Sequence, residues 1–196
     1  MRLRYRFRVF FLWLLAFVVA TIGSSLSAQD SSSERLLVLL RDASALAIVD
    51  PISGAVLGRV PTGNDPHEVT ATPDGRLAFV ASPSDGISVI DLVTQQEIRR
   101  INPGQGSGPH DVLYVDGKIY FTIEGYKSIA RYDPETDEID WTLGIGQEST
   151  HTFALGADSA TIFMANRRSN TITMAEGVLG GPSETILSVI PVPGDF

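Results

Sequence analysis

His67, His110 and His151 are the only histidines in this 196-residue chain, and they stand 43 and then 41 residues apart. Imidazole changes charge near neutral pH and is the commonest borderline metal ligand, so three of them gathered in one place could hold an ion or move a proton. Each occupies the same local setting, in Pro66-His67-Glu68-Val69, Pro109-His110-Asp111-Val112 and Thr150-His151-Thr152-Phe153. Glu68 and Asp111 follow their histidines directly and join them as candidate ligand-binding groups. The competing reading is plain: repeats arise by duplication, so one ancestral packing histidine inherited three times gives the same pattern. The residues define no catalytic set and require no cofactor, and a metal shared by His67, His110 and His151 is the one the pattern suggests.

Two other landmarks keep the same period. Turns recur at Pro73-Asp74-Gly75, Val115-Asp116-Gly117 and Ala157-Asp158-Ser159. Strand ends recur at Ile48-Val49-Asp50-Pro51, Val89-Ile90-Asp91-Leu92 and Arg131-Tyr132-Asp133-Pro134. A repeat of this length must be resolved before any residue is interpreted, because it signals stacked or radially arranged units. In the second unit, β-prone runs cover 68–72, 76–81, 87–90 and 97–101, separated by Asp-Gly, Ser-Asp-Gly and Thr-Gln turns. After the N-terminal segment, apolar residues alternate or run in fours and fives and show no helical spacing. Four-stranded antiparallel units of about forty residues are the blades of an all-β propeller, which hides sheet edges by radial repetition. The approximate units are 36–65, 66–108, 109–149 and 150–196.

In this frame the aspartates of the landmarks are turn residues, whose carboxylates accept backbone N–H bonds. Glu124-Gly125-Tyr126-Lys127 and Asn166-Arg167-Arg168-Ser169 fall on equivalent hairpins. Glu124, Tyr126, Lys127, Arg167 and Arg168 form a candidate loop patch for an anionic ligand or a protein, with solvated turn residues as the plainer account. Gly104-Gln105-Gly106-Ser107-Gly108 lacks the following Lys-Ser/Thr and helix of a phosphate loop. No serine-nucleophile elbow, zinc-protease motif or haem attachment motif is present.

The first 28 residues read as a secretory signal peptide, cleaved after Ala28. Arg2, Arg4, Arg6 and Arg8 precede a fourteen-residue apolar run from Val9 to Ile22 and a small-residue exit through Ala28. Fourteen residues fall short of the ~20 that span hydrocarbon, so no membrane span is expected after cleavage. A polar leader at 29–35 follows. From Gln29 onward 11 basic groups face 23 acidic ones, a net charge of −12, which excludes nucleic acid as a partner. With no cysteine, disulfides, thiolate metal sites and cysteine nucleophiles are excluded. A periplasmic or secreted location follows from the signal.

Thr70-Ala71-Thr72-Pro73-Asp74-Gly75-Arg76-Leu77-Ala78-Phe79-Val80-Ala81 and Ala165-Asn166-Arg167-Arg168-Ser169-Asn170-Thr171-Ile172-Thr173 resemble the strand-turn-strand core and signature of YVTN-type propeller repeats. The resemblance covers about Leu36 to Phe196. It departs in the fourth unit, where Met174 takes the expected place of Asp50, Asp91 and Asp133 and a long Gly-rich connection runs from Glu176 to Glu184. Such rings usually close with about seven blades. The chain offers four units and three inner strands, so a truncated ring is expected, open to self-association through its unpaired ends. The resemblance implies either a ligand- or protein-binding module, a propeller enzyme of lactonase, lyase or redox-subunit type working through channel histidines, or an envelope scaffold. Fold analogy alone assigns no substrate, whether protein or small molecule.

Overall fold

A computed structural model describes residues 34–194, and the expected signal peptide and most of the expected leader lie outside them. Among these residues, fifteen strands form four antiparallel sheets. The first sheet has three strands, β1 (Leu36–Leu40), β2 (Ala45–Val49) and β3 (Val56–Pro61). The second contains β4 (Glu68–Ala71), β5 (Leu77–Ser82), β6 (Gly86–Asp91) and β7 (Gln96–Ile101). The third contains β8 (Pro109–Val115), β9 (Lys118–Ile123), β10 (Ser128–Asp133) and β11 (Glu138–Gly144). The fourth contains β12 (Thr150–Leu155), β13 (Thr161–Asn166), β14 (Thr171–Glu176) and β15 (Ile186–Pro191). In each sheet, strands that are consecutive in sequence are neighbours in space, the order of a meander.

Turn chemistry sets the hairpins. Asp50 accepts from the amides of Ile52 and Ser53, and Asp91 from those of Val93 and Thr94. Asp133 accepts from Glu135 N–H and pairs with Lys118. In the fourth sheet Glu176 closes β14, and Met174 sits mid-strand opposite Phe163, so the equivalence drawn from sequence is two residues off. The connection after Glu176 is anchored by Val178, which is buried in the core beneath it.

Both faces of the middle sheets are covered. On β9, Ile119, Phe121 and Ile123 pack toward the second sheet, while Tyr120 points the other way and meets Trp141 at 5.9 Å. On β5, Phe79 and Ala81 pack toward the third sheet, and Ala78 and Val80 toward the first. This period-two alternation with apolar residues on both sides explains the unbroken runs LAFVA and IYF. Three core clusters result, joining the first sheet to the second, the second to the third and the third to the fourth. Among the described residues no cluster joins the first sheet to the fourth, so the sheets form an open arc.

Candidate functional site

Each histidine lies at or just before the start of an innermost strand. His67 precedes β4 and donates its backbone N–H to Ala81 O, at 2.9 Å. His110 and His151 lie within β8 and β12, at register irregularities flanked by Pro109 and Val112 in one case and by Thr150 and Thr152 in the other. Such irregularities turn a side chain out of the regular pleat. Here they bring the rings of adjacent blades into contact. His67 and His110 are 4.4 Å apart between centroids, edge to face, and His110 and His151 are 3.8 Å apart with a 40° tilt.

The two outer rings have carboxylate partners. His67 Nε2 lies 2.9 Å from Asp65 Oδ2, and Asp65 also accepts from Arg41 Nε at 2.6 Å. His151 Nδ1 lies 2.6 Å from Glu124 Oε1, which also accepts from Ser149 Oγ at 3.0 Å. Between them, His67 Nδ1 and His110 Nε2 are 2.5 Å apart. His110 Nδ1 is buried with no hydrogen-bond partner.

Charge follows geometry. Burial pushes the His110 imidazole down to about 4, helped by the neighbouring rings of His151 and His67, so His110 is neutral at physiological pH. Burial pushes the Glu124 carboxyl up, but hydrogen bonds from His151 and Ser149 outweigh it and hold the group below its usual range. The hydrogen bond with His67, then that with Arg41, holds Asp65 low. Burial raises Glu68, and the nearby charge of Asp111 raises it further.

Asp111 is committed to the scaffold. Its carboxylate accepts from Val112 N–H and, across the blade seam, from Phe153 N–H at 2.8 Å. Thr122 Oγ1 accepts from Asp111 N–H and donates to His151 O, so two side chains fasten the third blade's inner strand to the fourth's. Burial raises the Asp111 carboxyl even so.

The loop patch divides. Glu124 turns inward to the histidines, whereas Lys127 pairs with Glu148 at 2.7 Å and Tyr126 donates to Gln105 O at 2.8 Å. Arg167 and Arg168 are exposed. Glu124, Lys127, Ser149 and Arg168 line a cavity of ≈ 340 Å³ floored by Gly106, Gly108 and Gly125. Among the described residues no group of three or more His, Asp or Glu side chains is arranged to hold a metal ion, and both ring nitrogens of His67 are engaged by other side chains.

Arg41, Asp65 and Ser149 belong to the site and were not singled out from sequence. The signal was available for Arg41. It stands 26 residues before His67 and Glu124 stands 27 before His151, so each hairpin reaches the next blade's histidine. Position 83, the counterpart for His110, is proline, which explains why that ring lacks a charged partner.

Radial blades of three or four antiparallel strands, with inner strands converging at one end, make this chain an all-β propeller protein. Solved structures with the same fold include hydrazine synthase from Kuenenia stuttgartiensis, at 20% identity and a TM-score of 0.67 over 79% of this chain and 46% of that one. Virginiamycin B lyase from Staphylococcus aureus matches at 18% identity and a TM-score of 0.67, over 83% and 54%. A streptogramin B lyase matches at 17% and 0.67, over 84% and 53%. The chain spans about half the length of these structures. No family model and no curated protein matches the sequence.

Proposed function

We propose that this chain is an exported YVTN-type propeller protein, periplasmic or secreted, that binds a small-molecule or protein ligand at the histidine mouth of its channel. One observation carries the reading. Of the six ring nitrogens, four are paired within the cluster and His110 Nδ1 is enclosed, while His151 Nε2 is neither paired nor buried. A polar atom oriented by a carboxylate and left without a protein partner is the natural contact for a ligand. Glu124 holds the ring, and Ser149 holds Glu124.

The same dyad supports a second reading, a propeller enzyme in which His151 takes a proton from its substrate. An imidazole whose Nδ1–H is fixed by a carboxylate has its other nitrogen aimed and basic. The lyases among the fold neighbours are consistent with it, through the fold alone.

A thermal-shift screen of a metabolite library, run on the protein and on H151A, tests the binding reading. Ligands that stabilise the parent protein and not H151A support it. Stabilising ligands indifferent to H151A would place binding elsewhere.

A further inference from the structure

Two carboxylates dictate where the protons sit on the three rings. Asp65 accepts from His67 Nε2 at 2.9 Å. A neutral imidazole that donates at Nε2 accepts at Nδ1. The proton in the 2.5 Å contact between His67 Nδ1 and His110 Nε2 therefore belongs to His110. His110 then carries its single proton on Nε2, and its enclosed Nδ1 is a bare lone pair. Arg41 also approaches His67 Nε2, at 3.1 Å. A guanidinium only donates, and one nitrogen cannot donate to Asp65 while accepting from Arg41. The carboxylate is nearer and oppositely polarised, and Arg41 is satisfied by Asp65 itself.

Glu124 acts on His151 without an intermediary. It accepts at Nδ1, so the neutral ring offers a lone pair at Nε2. Glu68, half-buried and near enough to feel the charges of Asp111, His67 and His151, adds a carboxylate to the same mouth.

We infer, building on the binding reading above, that Asp65 through His67 and Glu124 directly fix the tautomers, leaving His151 Nε2 as the exposed lone pair of the cluster, and that the mouth takes its ligand through an N–H or O–H donor to that atom. The ligand class is an amine or polyol, and an anion is excluded. Asp65 is thus a positioning residue. This differs from the anionic ligand or protein that the loop patch of Glu124, Tyr126, Lys127, Arg167 and Arg168 suggests from sequence.

Imidazole ¹⁵N NMR of the ¹⁵N-histidine-labelled protein near pH 8 tests both parts. His110 is expected to show a protonated Nε2 and an unprotonated Nδ1, and His151 the reverse. D65N weakens the acceptor at His67 Nε2 and leaves Arg41 to donate there, so the His110 proton moves to Nδ1. Asn is compatible with the left-handed backbone at position 65, φ 53°, so the fold is retained. A purely structural Asp65 would leave the His110 tautomer unchanged. Ethanolamine and inorganic phosphate, at matched ionic strength, then serve as probes. Ethanolamine is expected to shift the His151 signals saturably, at least tenfold more strongly than phosphate at equal concentration. A proton on His110 Nδ1 in the parent protein overturns the tautomer assignment. A stronger response to phosphate overturns the donor class. Correct tautomers with no response to either probe would reject the donor-ligand site itself and leave the relay standing.

Discussion

The rings of His110 and His151 lie 3.8 Å apart, yet only His151 touches a carboxylate. Blade geometry places the two identically, and the difference comes from the preceding hairpin, which offers Glu124 to one and Pro83 to the other. A duplicated position has thereby acquired two electrostatic characters. The middle ring is held neutral by burial, and the ring beside it is held in orientation by Glu124.

Stability should fall in two steps on acidification. His110 has a folded pKa of about 4, below its unfolded value near 6.5, so the unfolded chain binds the extra proton first. Its neutral burial is without penalty above about pH 6.5 and costs up to ~3 kcal/mol by pH 4. Glu124, whose folded pKa is depressed, contributes stability above its unfolded pKa near 4.5 that is lost as pH falls through the folded value. Urea unfolding from pH 8 to pH 4 should show the first step, and H110Q should flatten it. An unchanged profile in H110Q would assign the slope to other groups.

Asp111 bridges two blades, so its removal should be felt at a seam and not only at the mouth. D111A leaves the amides of Val112 and Phe153 without their acceptor, and an unmatched buried donor costs about 1–3 kcal/mol. D111N keeps an acceptor oxygen and should lose less. Urea midpoints measure both, and hydrogen exchange should show the Phe153 amide less protected in D111A.

The strands were legible because their signals are local. The runs read in the second unit, 68–72, 76–81, 87–90 and 97–101, lie within one residue of β4 to β7. Alternation and Asp-Gly turns act over a few residues and need no knowledge of neighbours. The site was legible only in part. Equal spacing brought out the histidines, but their contact depends on local irregularities in β8 and β12 that composition does not reveal. From sequence, Glu124 reads as part of a loop patch on an exposed hairpin, and only the overhang onto the next blade turns it inward. Constant spacing from Asp50, Asp91 and Asp133 points to Met174, whereas the longer fourth unit ends its strand two residues later, at Glu176.

The seam between the second and third blades should dominate stability. Phe121 is fully buried there among Phe79, Ile87, Val89 and Tyr132. F121A removes a ring from a close-packed site and should cost about 3–5 kcal/mol, a large share of a domain's margin. F121L should cost less, since it retains more of the volume. Chemical denaturation of the two variants checks the order.

Gly125 marks a point where two loops meet too closely for any side chain. A Cβ there would stand 1.9 Å from Gly106 O, and Gly125 N–H donates to Ser107 O at 2.9 Å. Backbone cannot swing aside as a flexible side chain can, so G125A must push the Gly104–Gly108 loop away from the Glu124 hairpin. Overpacking of this kind costs about 1–3 kcal/mol. The displacement should also widen the cavity bounded by Gly106, Glu124 and Ser149. Through Glu124 it should disturb His151, whose ring ¹⁵N signals are expected to shift while those of His67, held by Asp65 on the far side, stay in place. Equal shifts at both rings would show that the hairpin acts on the cluster as a whole, and that Glu124 is not the link.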